Sequence, residues 1–285
     1  KAGVKMSKNK FDFDAVSIWA EINIDKFSKP VSYTKFNSGQ SNPTYLVETS
    51  QKKYVLRKKP EGKLLKSAHA VDREYRVQLA LQNSEVPVPR MAAFCSDLSI
   101  LGTEFYIMDH IEGTCFEDPC LNIVAKDHRY SIFEEMSTIL AKIHKVDLLK
   151  VGLSDFGPSG NYFSRQITRW TKQYLSSETD KIEKMDQLIK WLEENIPEDD
   201  ERRCLVHGDF RLDNLLFNPN ENKCVAVLDW ELSTIGHPFA DLASVLMQWS
   251  MPTGLEGRGL QGVNRKQHGL MEDQEFVDSY CKIMG

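Results

Sequence analysis

CLVHGDFRLDN at 204–214, with VLDWE at 227–231, is the stretch on which the reading of this chain turns. Two short apolar runs, LLF at 215–217 and CVAVL at 224–228, flank NPNENK at 218–223. Asn and Pro in that segment are strong turn signals, so the spacing predicts a β-hairpin. Asn214 stands just before its first strand and Asp229 just after its second, so both emerge at the same open end. Cross-strand neighbours lie about 5 Å apart, close enough for two side chains to meet. Asp209 precedes Asn214 in a loop anchored by the apolar CLV. The pattern therefore predicts two carboxylates and a carboxamide gathered at one point.

Those residue types have a chemistry in common. Hard divalent cations such as Mg²⁺ take oxygen ligands, few of them from protein and the rest from water and phosphates. Asn214 and Asp229 suit that role. Asp209 suits another, accepting or orienting the proton of an attacking hydroxyl, and His207 and Arg211 could position its loop. The competing reading is an ordinary exposed turn, because Asp, Asn and Gly are standard turn residues and H-x-D-x-x-x-x-N is short. The second Asp at the mirrored hairpin end favours the site.

Upstream, residues 11–29 carry Phe11, Val16, Trp19 and Ile22 at near-helical spacing. FNSGQSNPTYLVE, TSQKK and YVLRKKP then read as strand, turn, strand. Residues 72–82 predict a helix capped by Asp72, with Val71, Tyr75 and Leu79 on one face. VPVP at 86–89 forces an extended segment, and TEFYIMDHIEG at 103–113 gives a strand ending at Gly113. Beyond a seam near 110–115 the pattern turns helical. Ser131 and Glu134 form a capping-box pair ahead of Ile132, Met136, Ile139, Leu140 and Ile143. Two helices follow at 163–176 and 180–195, the second capped by Asp180 and buried through Ile182, Met185, Ile189 and Leu192. Trp170, Trp191 and Trp249 read as core, and Pro238 opens a helix through Trp249. Residues 252–274 read as a mobile Gly-rich loop, and 275–284 as the start of another helix. The expected fold is α+β and bilobal, with a small β-rich lobe at 1–110 and a larger, mostly helical lobe at 111–285.

Composition narrows the function classes. The chain has 285 residues, 41% hydrophobic and 27% charged, with a net charge of -5. An acidic chain of this kind is a poor binder of nucleic-acid backbones. No run approaches the roughly 20 apolar residues that span a bilayer. The six cysteines are scattered without a CxxC, which predicts buried free thiols in a reducing, intracellular compartment rather than disulfides or zinc. A chain that opens on Lys1 leaves a targeting segment open.

HGDFRLDN followed by LDWE resembles the catalytic loop and metal-binding Asp of the kinase-like phosphotransferases, the aminoglycoside phosphotransferase and choline kinase superfamily. The likeness runs from about residue 36 to 249. YVLRKKP is similar to the third strand of the family's first lobe, DREYR to its helix with Glu74, and FYIMDHIEG to its hinge strand. LAKIH at 140–144 resembles the family's LAxLH, and STIGHPFADLA, with Asp241, the helix that braces the catalytic loop. SGQSNPTY, VLRKKPEGKLL, HAVDREY and VPVPR resemble most the phosphotransferase-like domain fused to acyl-CoA dehydrogenases.

The resemblance implies an ATP- and Mg²⁺-dependent kinase with Asp209 as base, Asn214 and Asp229 as metal ligands, and Glu74 paired with the cation of the third strand. That cation is Arg57 where kinases usually carry Lys, with Lys58 or Lys59 as alternative registers. Gly39, Ser41 and Asn42 fall on the nucleotide loop, and Met108, Asp109 and Ile111 on the adenine-facing hinge. The acceptor implied is the hydroxyl of a 4-hydroxyacyl-CoA, in a mitochondrial or peroxisomal protein with a dehydrogenase domain as partner. Two alternatives remain: a silent kinase-like module that binds a nucleotide or a partner, and a kinase for choline, a sugar or an aminoglycoside. His144 and His237 read as structural. The family's helical lobe continues past the equivalent of Gly285, so its last helices are expected beyond this chain.

Overall fold

The computed structural model describes residues 13–36, 42–60, 70–218, 220–254 and 256–285. In chain order the elements are α1 (Phe13–Asn23), β1 (Pro30–Lys35), β2 (Thr44–Thr49), β3 (Lys53–Lys58), α2 (Val71–Leu81), β4 (Met91–Cys95), α3 (Leu98–Leu101) and β5 (Phe105–Asp109). There follow α4 (Lys126–His144), α5 (Tyr162–Ser177), α6 (Glu183–Glu194), β6 (Cys204–Val206), β7 (Leu215–Asn218), β8 (Lys223–Val227) and β9 (Thr234–Gly236). The chain closes with α7 (Phe239–Trp249), α8 (Arg265–His268) and α9 (Asp273–Met284). Two compact units result. Lys1–Cys115 group with Asn214–Glu231, and Phe116–Asp213 with Leu232–Gly285.

The first unit is an antiparallel sheet in the order β1-β2-β3-β5-β4, with helices on both faces. Side chains alternate along a strand, and β3 shows the consequence. Tyr54 and Leu56 join Val16, Ala20, Ile24 and Phe27 of the α1 region on one face. Val55 joins Val71 of α2, Tyr106 and Met108 on the other. That places the side chain of Arg57, two residues beyond Val55, on the α2 face. The β2–β3 hairpin closes through Thr49 N–H donating to Lys52 O at 3.0 Å. β1 and β4 lie outside the strands read in the sequence, although Val31 and Tyr33 alternate with Ser32 and Thr34 between Pro30 and the turn residues Asn37, Ser38 and Gly39. Their pairing with β2 and β5 makes them strands.

Helix starts differ from those read in the sequence. α2 begins at Val71 with Ala70 before it, so Asp72 lies inside the first turn, where its charge suits the helix dipole, and caps nothing. Its buried face is Val71, Glu74, Val77, Gln78 and Leu81, and Leu79 is exposed. α4 starts at Lys126, so Ser131 sits in mid-helix, its hydroxyl donating to His128 O at 2.8 Å, and is no capping box with Glu134. The stripe Ile132, Met136, Ile139, Leu140 and Ile143 is buried as read. α6 begins at Glu183 without a side-chain cap.

In the second unit α4 is the central helix and packs against α9 and β6. The described residues between α7 and α9, 250–254 and 256–272, hold α8 and several backbone hydrogen bonds. Leu260 N–H donates to Trp249 O at 2.8 Å and Gly259 N–H to Pro252 O at 2.9 Å. Leu260, Leu270 and Met271 are buried. A Cβ at Gly259 would meet Met251 O at 1.9 Å, which explains a glycine there. None of the six cysteines is in a disulfide; Cys95, Cys204 and Cys224 are buried, but Cys115 and Cys120 are half-buried and Cys281 is exposed. Among the described residues no helix is long and apolar enough to cross a membrane.

Candidate active site

In the first unit, the strand alternation and one helix turn bring opposite charges together. Arg57 pairs in register with Tyr106 across β3 and β5, and α2 turns Glu74 toward the same spot. Arg57 Nε lies 2.8 Å from Glu74 Oε2, with only 1% of the Glu74 side chain exposed. Arg57 Nη2 reaches Asp229 Oδ1 at 2.6 Å and approaches Glu231 Oε2 at 3.8 Å. Tyr106 Oη donates to Glu74 Oε2 at 2.9 Å, and Gln78 Nε2 donates to Tyr106 Oη at 3.3 Å. Of the three basic residues in RKK, the geometry selects Arg57. Lys58 falls on the opposite face of the strand, and Lys59 Nζ stands 3.7 Å from Glu104. A guanidinium fork suits this place because it can face two carboxylates at once, which an ammonium does poorly. Burial pushes the Glu74 carboxyl up to about 7, against the downward pull of Arg57. Burial would lower the Arg57 guanidinium, but Glu74, Tyr106 and Asp229 more than reverse it.

The hairpin forms as its sequence predicts. Leu215 pairs with Val227, and Leu228 N–H donates to Asn214 O at 2.9 Å, which sets Asn214 and Asp229 at one end. It is fixed within the first unit. Thr114 and Phe217 exchange two backbone bonds of 2.9 Å, and Val227 N–H donates to Pro87 O at 2.8 Å. Gly113 permits the approach, since a Cβ there would meet Leu216 Cγ at 2.7 Å. Asp229 adopts φ 60, a region a non-glycine residue enters at a cost of about 1 kcal/mol or more. Such strain is found where a side chain must be aimed. Trp230, fully buried beside it, donates from Nε1 to Val227 O at 3.0 Å.

Oxygen atoms of Glu74, Asp229 and Glu231 lie within 4.8 Å of one another. With the Asn214 carboxamide on the same hairpin end, this all-oxygen donor set fits a hard cation such as Mg²⁺ and not a thiol-seeking one. Glu231 is the residue missed in the sequence. Its signal was there in the LDWE spacing, two residues past Asp229.

The loop at 207–213 belongs to the second unit, where α7 holds it by the backbone. Asp241 accepts His207 N–H at 2.7 Å on Oδ2 and Gly208 N–H at 2.9 Å on Oδ1. Gly208 takes φ +85, and a Cβ there would stand 2.6 Å from Leu232 O. His207 is buried and accepts Asp209 N–H on Nδ1 at 3.2 Å. Arg211 lies between two carboxylates, Nε 3.2 Å from Asp209 and Nη2 3.3 Å from Asp213. Asp213 is also met by Arg258 at 2.7 Å. His144 braces Asp241 from the other side. Its Nε2 lies 3.2 Å from Asp241 Oδ2 and its Nδ1 2.7 Å from Tyr280 Oη. Burial works to raise the Asp241 carboxyl, but His144, His207 and the Gly208 amide together hold it below its ordinary value. His237 is likewise a cap, accepting Phe239 N–H at 3.1 Å.

The remaining candidates divide. Gly39 and Ser41 lie outside the described residues. Asn42 is fully buried, and its amide donates to Glu74 Oε1 at 2.7 Å and Glu231 Oε2 at 3.2 Å. On the hinge, Met108 is buried between Val55 and Met91. Asp109 N–H donates to Arg90 O at 2.9 Å, and its carboxylate meets Lys52 at 2.7 Å. Ile111 follows, half-buried.

Comparison with known proteins agrees with this layout. The profile of the phosphotransferase enzyme family matches residues 32–271. The chain is 40% identical to acyl-CoA dehydrogenase family member 11 of Rattus norvegicus over 98% of its own length, but covers only 36% of that protein. A crystal structure from Ralstonia eutropha, assigned as an aminoglycoside phosphotransferase, is 42% identical and superposes with a TM-score of 0.86 over 97% of this chain and 81% of that one. The streptomycin–ATP–APH(2")-IIa ternary complex shares the fold, with a TM-score of 0.60 at 21% identity over 93% of this chain and 81% of that one. With a buried cation–carboxylate network, a hairpin carrying Asn214 and Asp229, and an Asp241-braced loop, the chain belongs to the phosphotransferase enzyme family and has its α+β, two-lobed kinase-like fold.

Proposed function

We propose that this chain transfers the terminal phosphoryl group of ATP to the hydroxyl of a hydroxyacyl-CoA, most specifically a 4-hydroxyacyl-CoA. The observation that carries the kinase reading is the Arg57 guanidinium, held at once by Glu74 of α2 and Asp229 of the hairpin. Phosphoryl transfer asks little covalent chemistry of a protein. It asks for in-line placement and neutralised phosphate charge. Arg57 supplies fixed positive charge for the phosphates and stays protonated throughout. Asp229, Asn214 and Glu231 would hold Mg²⁺, which when bound neutralises charge on the phosphate oxygens. Asp209 accepts the proton of the attacking hydroxyl, with Arg211 beside its carboxylate and His207 holding its backbone amide. Adenine would be met along the Met108–Ile111 backbone.

The acceptor rests on kinship. The similar rat protein bears an acyl-CoA dehydrogenase name and extends well beyond the share this chain covers. A kinase and a dehydrogenase on one polypeptide make sense when both act on one acyl-CoA. The test is phosphoryl transfer from ATP with Mg²⁺, using hydroxyacyl-CoAs of several chain lengths beside choline and an aminoglycoside, for this chain and the full-length protein. Turnover is expected with the thioesters. Asp209→Ala should abolish turnover and spare nucleotide binding, and Asp229→Ala should weaken Mg²⁺–nucleotide binding itself. Turnover of choline or the aminoglycoside alone would remove the acyl-CoA assignment, and equal activity in both variants and the parent would remove the kinase.

A further inference from the structure

We propose that Asn42 is a positioning residue of the cation site, holding the carboxylates of Glu74 and Glu231 at fixed spacing around Arg57 rather than touching phosphate itself. Three facts point there. Asn42 is fully buried, so its side chain is built into the unit. Its Nδ2 donates to Glu74 Oε1 at 2.7 Å and to Glu231 Oε2 at 3.2 Å, and a carboxamide nitrogen carries two hydrogens. Its own backbone is tied to the sheet. Thr44 Oγ1 donates to Asn42 O at 2.9 Å, and Lys58 N–H donates to the neighbouring Pro43 O at 3.0 Å.

The electrostatics explain why an amide stands here. Three carboxylates crowd within 4.8 Å around a single guanidinium. They repel one another, and one positive charge cannot satisfy all their lone pairs. A neutral double donor bridges two of them without adding charge. Asp at the position would add a fourth carboxylate, and Lys would compete with Arg57. Asn42 therefore links α2, through Glu74, to the segment after β8, through Glu231, and so sets where Glu231 stands beside Asp229. Residues of this kind behind a metal-facing carboxylate change metal affinity about 10–100-fold when removed.

This inference rests on the cation site of the proposed function, and the experiment separates the two. Mn²⁺ binding to the chain is followed by electron paramagnetic resonance without nucleotide, and ATP binding is measured in EDTA. The parent is expected to bind Mn²⁺ and Asp229→Ala to lose it. Asn42→Ala should raise the Mn²⁺ Kd about tenfold, a larger factor than any change in metal-free ATP binding. Asn42→Ser, which keeps one donor, should fall between. Circular dichroism reports folding, and if the Ala variant does not fold, the Ser variant decides. Parent-like Mn²⁺ binding in the folded Asn42 variants overturns this proposal alone, as does weakened metal-free ATP binding with unchanged Mn²⁺ affinity. A folded parent that binds no Mn²⁺, either alone or with a non-hydrolysable ATP analogue present, overturns the cation site, and this proposal with it.

Discussion

At the scale of the residue, Arg57 and Glu74 form a buried pair whose members cannot be removed singly without cost. Taking one partner from such a pair leaves an uncompensated charge and typically costs 3–5 kcal/mol. Arg57→Ala should therefore lose about that much stability in urea melts. Arg57→Lys should lose less, because an ammonium still faces Glu74 but cannot reach Asp229 equally well. A parent-like midpoint for Arg57→Ala would mean that the pair contributes nothing. Glu74 itself makes stability depend on pH. Its carboxyl rises from 4.5 to about 7 in the folded chain, chiefly by burial. The folded state thus holds this proton more tightly than the unfolded one. The stabilisation is fully present below 4.5 and is lost as pH rises through 7. At about 1.4 kcal/mol per pH unit the loss is on the order of 3 kcal/mol. In EDTA, the parent's stability relative to Glu74→Gln should fall between pH 4.5 and 7.5. A difference that is flat or rises with pH would show Glu74 to be ionised throughout. The sequence made Glu74 and Arg57 legible through their elements. It hid Asn42 behind a loop reading, because burial and hydrogen-bond polarity are not written in a single residue type.

At the scale of the element, α7 serves as a clamp. Its first turn aims the two oxygens of Asp241 at successive amides, and Gly208 can follow only because it lacks a Cβ. Asp241→Asn replaces one acceptor with a donor facing an amide donor. An unsatisfied buried group costs about 1–3 kcal/mol, so both the melting temperature and kcat should fall. An unchanged kcat with a lowered melting temperature would show that the clamp serves the fold and not the loop. Elements of this kind were readable where pattern and packing agree, as in the α4 stripe and the hairpin around its NPN turn. They were misread at their ends. Ser131 and Asp72 have the chemistry of caps, but the chain enters α4 and α2 earlier, at Lys126 and Val71. Local capping preference is worth about 1 kcal/mol, less than the packing that decides where a helix begins. β4, in MAAFC, has little alternation of its own and is made a strand by its pairing with β5, whereas β1 carries its signal in VSYT.

At the scale of the whole molecule, amphipathic pattern and actual burial part company on α5 and α6. The sequence places the stripe Ile182, Met185, Ile189 and Leu192 and the residues Trp170 and Trp191 in the core. In the structure neither helix has a buried residue. Trp170 and Trp191 are 51% and 58% exposed, whereas Trp230 and Trp249 are 0% and 3%. The two helices do pack on each other, which half-buries Met185, Ile189 and Leu192 and leaves the rest of the stripe to solvent. A hydrophobic period says that a helix has an apolar side, not that a second layer covers it. Indole fluorescence reads this difference directly, because exposed tryptophans emit further to the red and are quenched by acrylamide. The 285-residue chain should therefore contain a quenchable, red-shifted fraction. Trp170→Phe with Trp191→Phe should remove most of it and shift the remaining emission to the blue. Trp230→Phe, at a buried position beside Asp229, should instead remove blue emission and lower stability. If the paired α5 and α6 substitutions left quenching unchanged, those indoles would be covered, and the sequence reading of a closed core on these helices would stand after all.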